Sequence, residues 1–276
     1  MSRLAAIQMA SGPNISANLT EAGRLISRSV DAGAELVVLP ENFAFMGMQE
    51  EDKIKICEQQ GTGPMQDFIA SQADKHRVWI VAGTIPLQSK DKQRVAAACL
   101  LYNDRGETLA RYDKVHLFDV KLEESKETYH ESQTTEAGKH VSVVDTPFGR
   151  LGLAVCYDLR FPELFRHMTT EGVDVIAIPS AFTALTGRAH WEVLLRARAI
   201  ENLAYVVASA QGGYHVNGRE TFGHSMVIDP WGRVLDYLPS GSGYVIAKMD
   251  RQQLDTTRRN FPVLEHRKLP CDVPSA

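Results

Sequence analysis

Nearly continuous apolar runs of strand length recur along this chain: ELVVLPE (35–41), VWIVAGT (78–84), LGLAVCYD (151–158), VDVIAIPS (173–180) and AYVVASAQ (204–211). Strands this uniformly apolar are covered on both faces. Helical spacing fills the stretches between them. Asn18, followed three residues on by Glu21, predicts a capping box, with Gly33 as the stop of the same helix. Over 189–202, Val193, Leu194, Ala197 and Ile200 form one apolar face. Glu192 there precedes Arg196 by four residues, the favourable order for a surface ion pair. Three segments read as strand, turn, strand: 95–114 around Asp104-Arg105-Gly106, 141–155 around Pro147 to Arg150, and 225–237 around Asp229-Pro230-Trp231-Gly232. The N-terminal MSRLAAIQMA reads as a first strand rather than a signal peptide. The charged stretch 119–140 fits a solvated loop or a lid or rim over a site. From about residue 251 periodicity weakens, which predicts a tail packed on the domain or on a neighbouring subunit. The pattern as a whole predicts one mixed α/β domain over 1–276, with two sheets and helices outside.

Composition narrows the function classes. A chain of 276 residues buries enough apolar surface to need no disulfide staples. Its formal net charge of −4 at pH 7 gives no pull toward nucleic acid or anionic membrane. No apolar run approaches the roughly 20 residues that span a bilayer. The four cysteines, Cys57, Cys99, Cys156 and Cys271, have no CxxC spacing. That argues against structural zinc and a disulfide framework, and for a reducing cytoplasm. The histidines lack HxH or HxxxH spacing, so no metal is expected. With no GxGxxG and no GxxxxGK[ST], no nucleotide cofactor is expected either.

Three polar residues end apolar strands: Glu41 after LVVLP, Lys114 after LARYD and Cys156 after LGLAV. Ligand sites in α/β sheets lie at the carboxyl ends of strands, so the three can converge. Each alone has an ordinary structural explanation. A free cysteine is often a small core hydrophobe, a carboxylate can cap a helix, and most lysines are solvated. Together they suit nucleophilic catalysis. A helix expected near Arg160 to Glu163, with Pro162 in its first turn, predicts a thiol whose pKa is lowered by the positive helix end. Glu41 can take the thiol proton and later activate water. Lys114 and the backbone N–H of Tyr157 can hold a tetrahedral oxyanion. His116, His190 and His224 are histidine partners to consider, but none has a local signature tying it to Cys156.

With these motifs in hand, the sequence resembles the nitrilase superfamily of carbon–nitrogen hydrolases. Glu41 in VVLPENF, Lys114 in ARYDKVHLFD and Cys156 in AVCYDLRFPEL match its Glu-Lys-Cys triad in order and spacing. The resemblance runs from AAIQMA to about residue 266. It implies an α-β-β-α sandwich that forms a homodimer or higher homo-oligomer, and hydrolysis through a thioester. It also implies a second glutamate that positions the lysine, matched by Glu131. CYDLRFPE looks like the amidase-type Nit branch, whereas true nitrilases carry CWE and carbamoylases a CNDRR-like run. TGRAHWEVL and the EHR near residue 265 favour the Nit-one-type branch, whose implied activity is cleavage of deaminated glutathione to 2-oxoglutarate and cysteinylglycine. The sister branch, omega-amidase, acts on 2-oxoglutaramate and 2-oxosuccinamate. Either small-molecule substrate presents a 2-oxo acid carboxylate, for which Arg160 and Arg188 are the expected cations. Phe182, Thr183 and Tyr157 are expected to line the pocket. A silent scaffold on the same fold, or a redox-sensing thiol, is disfavoured by the filled triad and the lack of a nearby resolving cysteine.

Overall fold

The computed structural model describes residues 2–124 and 126–269; Cys271 lies outside them. From the N-terminus come β1 (Ser2–Gln8), α1 (Ile15–Asp31), β2 (Leu36–Val38), a short α2 (Asp52–Lys55), α3 (Pro64–His76), β3 (Trp79–Val81), β4 (Ile85–Gln88), β5 (Val95–Tyr102) and β6 (Thr108–Asp113). Next come β7 (Asp119–Leu122), β8 (Glu127–His130), β9 (Thr135–Glu136), β10 (Val143–Thr146), β11 (Gly149–Leu153), α4 (Pro162–Thr170), β12 (Val175–Ser180) and α5 (Ala184–Asn202). The remainder is β13 (Tyr205–Ala210), β14 (Gly212–Tyr214), β15 (Glu220–Phe222), β16 (Ser225–Ile228), β17 (Val234–Leu238), β18 (Gly243–Met249) and α6 (Arg251–Asn260).

Two mixed sheets result. One runs β18-β1-β2-β3-β5-β4, with β6 and β9 also on β5. The other runs β10-β11-β12-β13-β16-β17. β1, β2 and β3 are parallel, as are β11, β12 and β13. The period-2 alternation of a strand sorts β1 cleanly. Leu4 and Ala6 join the core between the sheets, while Ala5 and Ile7 face Leu25, Ile26, Met65 and Ile69 from α1 and α3. On the far side, Phe165 and Met168 of α4 and Trp191, Leu195 and Ala199 of α5 close the second sheet. The layers are therefore α-β-β-α, as expected. All three anticipated hairpin turns form, at β5–β6, β10–β11 and β16–β17.

Three local expectations are corrected. The cap of α1 is Asn14, whose side chain accepts from the Ala17 N–H at 3.0 Å. Asn18 lies inside the helix instead, buried, and bonds the Gly12 backbone and the Ala44 carbonyl. Glu21 pairs with Arg24 on the surface. In α5 the face carrying Val193 and Ile200 points outward, at 62% and 43% exposure. Trp191, Leu195, Arg198 and Ala199 are the buried face. Both stripes are apolar enough to pack, and Arg198 tolerates burial because Leu159 O and Glu201 accept its donors. The Glu192–Arg196 pair does form. Finally, the strand expected through residue 158 stops at Leu153, and a 3-10 turn covers Cys156–Arg160. The tail is helical over Arg251–Asn260, and this helix packs on its own chain: Leu254 is buried, and Arg251 and Arg258 both bind Asp174 at 2.7 Å.

Candidate active site

The carboxyl ends of β2, β11 and β12 and the end of β6 open into one cavity of about 460 Å³. Glu41, Lys114 and Cys156 all line it. Two close backbone approaches bring the segments together. A Cβ on Gly83, which has φ +51°, would sit 2.0 Å from the Pro40 carbonyl oxygen. A Cβ on Gly138 would sit 2.0 Å from the Asp113 carbonyl oxygen. Glycine alone lets those loops press against the residues just before Glu41 and Lys114.

Lys114 is the hub. Its Nζ donates to Glu41 Oε1 at 2.8 Å and to Glu131 Oε2 at 2.9 Å. Lys114 is 2% exposed, so its charge is tolerable only because two carboxylates face it. Glu131 also accepts from the Phe118 N–H at 2.7 Å. It comes from the 119–140 stretch, which forms the β7–β8 hairpin plus a 3-10 turn and borders the cavity through Tyr129 and His130. That stretch is thus a rim. A second bond set locks Glu41 from behind: Gln211, at the end of β13, donates to the Glu41 carbonyl and to Ser11.

Cys156 has φ +49°, a strained value for a non-glycine residue and of the kind that clusters at functional sites. Asp158, fully buried, braces this elbow. It accepts from the Val155 N–H at 2.8 Å, from the Tyr112 hydroxyl at 2.7 Å and from the His116 N–H at 3.0 Å. Tyr112 and His116 flank Lys114, so one carboxylate ties the cysteine turn to the lysine segment. Nothing in the sequence assigned Asp158 that role. The signal was an aspartate directly after an apolar run, with no place to be solvated.

Electrostatics correct the expected helix effect. α4 begins at Pro162 as anticipated. Yet the Cys156 thiol is pushed up, by burial first and then by the Glu41 carboxylate, and Lys114 offsets this only in part. The six-residue separation between Cys156 and the helix start leaves Glu41 as the nearer charge. Burial also pushes Glu41 up, but the charge and hydrogen bond of Lys114, helped by the Cys156 thiol, outweigh it and hold the carboxyl below its ordinary value. For Lys114, burial is overcome by Glu131 and Glu41, which raise it. The resting arrangement is thus a neutral thiol facing an ionised carboxylate that is paired with an ammonium. Such a group can move a proton from sulfur to oxygen and offer a cation to a developing oxyanion.

The pocket also receives Tyr157, Arg160, Phe182 and Thr183. Tyr157 packs edge-on to Phe118 and Phe161. Phe182 packs against Trp191. Thr183 lines the wall and also caps α5. Arg188 is not brought in. It lies on the outward side of the first turns of α5, in a separate shallow depression with Phe222 and His224. Of the histidines, His116 stacks on Phe161 and pairs with Asp158, His190 meets Arg160, and the His224 ring stacks on Phe222. Sequence reasoning missed Arg219. It sits in the polar β14–β15 turn, and only the tertiary fold carries it over the cavity.

The carbon–nitrogen hydrolase family model matches residues 3–259. The chain belongs to that family. Membership together with its amidase-named relatives gives its activity class, hydrolysis of non-peptide carbon–nitrogen bonds in linear amides. A curated relative from Synechocystis, named deaminated glutathione amidase, is 45% identical over 266 residues, covering 95% of this chain and 97% of its own length. The crystal structure of Caenorhabditis elegans NitFhit superposes with a TM-score of 0.90 at 39% identity, over 97% of this chain and 65% of that longer one. Saccharomyces cerevisiae Nit3, a member of branch 10 of the nitrilase superfamily, gives 0.85 at 29% identity, over 95% and 94%. The sandwich is therefore of the nitrilase type.

Proposed function

We propose that this hydrolase cleaves the amide bond of deaminated glutathione, giving 2-oxoglutarate and cysteinylglycine, and that Cys156 carries the acyl group. The observation that carries the chemistry is the Cys156–Glu41–Lys114 cluster in one cavity. The substrate follows the name borne by the Synechocystis relative.

In the first half-reaction Glu41 takes the thiol proton as sulfur attacks the amide carbon. The oxyanion forms against the Lys114 ammonium and the Tyr157 N–H. Protonated Glu41 then gives its proton to the departing amine, which leaves as the C–N bond breaks. In the second half, Glu41 takes a proton from water, hydroxide attacks the thioester, and the proton returns to sulfur as 2-oxoglutarate departs. Glu131 positions Lys114 and keeps it charged. Purified protein should turn over deaminated glutathione far faster than 2-oxoglutaramate; the reverse order makes it an omega-amidase.

Proton transfer within the cluster sets the pH profile. The Glu41 carboxyl is held below its ordinary value, so kcat/KM should rise on one acid limb below the usual carboxylate range. It should then stay level through neutrality. A rate that instead climbs with an ordinary thiol ionisation, about 8.5, would remove Glu41 as the base.

We read 1–276 as one domain, working in the cytoplasm without a cofactor. The described residues include no helix long and apolar enough to cross a membrane. Self-association into a homodimer or larger assembly is supported by the outward apolar positions Val193 and Ile200 and by exposed Trp231 and Phe261.

A further inference from the structure

Elsewhere in the fold, covered arginines sit on carboxylates. Arg198 binds Glu201 at 2.8 Å, and Arg258 binds Asp174 at 2.7 Å. The two arginines that line the cavity break this habit. Arg219 donates to the Ala181 carbonyl and lies 5.2 Å over the Tyr129 ring, and its Nε is buried without a partner. Arg160 lies over the Tyr157 and Phe182 rings at 5.7 and 5.0 Å and meets the imidazole of exposed His190 at 3.0 Å. Neither is within ion-pair distance of a carboxylate among the described residues. Glu50, on the Arg219 wall, is held by Lys53 at 2.9 Å. Aromatic faces and carbonyls orient a guanidinium without neutralising it. Its donors then await an external acceptor that suits bidentate binding.

We propose that the cavity selects a dianionic amide with one carboxylate on each side of the scissile carbonyl, Arg219 taking the carboxylate of the acyl half and Arg160 that of the leaving amine. This rests on the amidase reading of the cavity. Depth decides the assignment. The acyl half stays bonded to Cys156 after the amine departs, so its carboxylate belongs with the inner cation, the one with a buried, unpartnered Nε. The amine leaves first, so its carboxylate belongs with Arg160, whose partner His190 is exposed. The cavity lies within the size range of pockets for drug-sized ligands, more than a simple primary amide requires. Arg188, outside the cavity, has no part in this.

Three amides test it: deaminated glutathione, the same molecule with its glycine carboxylate converted to carboxamide, and the 4-oxopentanoyl analogue, in which methyl replaces the carboxylate on the 2-oxo carbon. Rates are normalised to titrated Cys156 thiol, so a poorly folded variant lowers no ratio between substrates. Arg219→Gln should lower kcat/KM about 30-fold on the first two and less than about 3-fold on the 4-oxopentanoyl compound, as expected for a lost hydrogen-bonded charge pair. Arg160→Gln should show the mirror pattern, sparing only the carboxamide. Arg219→Lys, which keeps charge but not the fork, should recover part of the loss on deaminated glutathione. Equal losses on all three amides would make the arginines structural and overturn the proposal. Wild-type protein that turns over uncharged short amides as fast as the dianion would overturn it too, while leaving the amidase reading intact. No turnover of any amide would overturn both.

Discussion

Cys156→Ala is expected to abolish turnover, by about 10⁴-fold or more, with no loss of fold. The thiol contributes little packing that a methyl group does not supply. Alanine also meets the same backbone demand at φ +49°, because the Asp158 bonds that hold the turn come from Val155, Tyr112 and His116 and not from the cysteine side chain. The expected readout is a melting temperature close to that of the parent, measured beside a progress curve at background. A variant that keeps even a hundredth of the parent rate would mean that sulfur is not the nucleophile.

Lys114→Met should be inactive and also unstable, and the second effect separates it from the cysteine variant. Methionine matches the lysine stem in bulk but leaves Glu41 and Glu131 facing each other without a cation. Breaking a buried pair by removing one partner costs about 3–5 kcal/mol, which for a chain of this size lowers Tm by roughly 10 °C. The pH dependence has a definite sign. Without Lys114, burial is left to push the Glu41 carboxyl up, so it binds its proton more tightly in the folded state than in the unfolded one. The stability it contributes is therefore present at low pH and lost as pH rises through its raised folded value. The gap between variant and parent should narrow at pH 5 and widen at pH 8, as followed by thermal denaturation. Equal destabilisation at both pH values would mean that Lys114 acts by packing rather than by charge.

The legible parts of the sequence were those governed by local rules. Continuous apolar runs marked β2, β3, β12 and β13 because central strands covered on both faces leave no polar option. The turns at Gly106 and Gly232 were readable because their left-handed backbone, φ +74° and +80°, favours glycine. Glu41, Lys114 and Cys156 stood out as polar residues at the ends of such runs, and they do meet in one cavity. What failed depended on choices between near-equal local solutions. Asn14 and Asn18 both suit a cap, and only the packing of Asn18 against Ala44 selects the former. α5 carries two apolar stripes, and sequence alone does not say which one meets the sheet. Arg188 and Arg219 look alike as surface arginines in polar contexts. The crossing of the β14–β15 turn over the cavity recruits one, and the outward phase of α5 excludes the other. The thiol was misjudged because helix proximity was visible in sequence, whereas the facing carboxylate of Glu41 was 115 residues away in the chain.

The central claim is that Cys156 carries the acyl half of the substrate as a thioester, which Glu41 then helps to hydrolyse. The parent protein, mixed with deaminated glutathione, quenched in acid during the first turnovers and digested, tests it directly by mass spectrometry. The expected result is a 2-oxoglutaryl adduct confined to the peptide bearing Cys156 and absent from the Cys156→Ala variant, with Glu41→Gln, which lacks the base for both half-reactions, forming it far more slowly. Cysteinylglycine released with no adduct on any peptide, or an adduct on Cys57 or Cys99 instead, would contradict it.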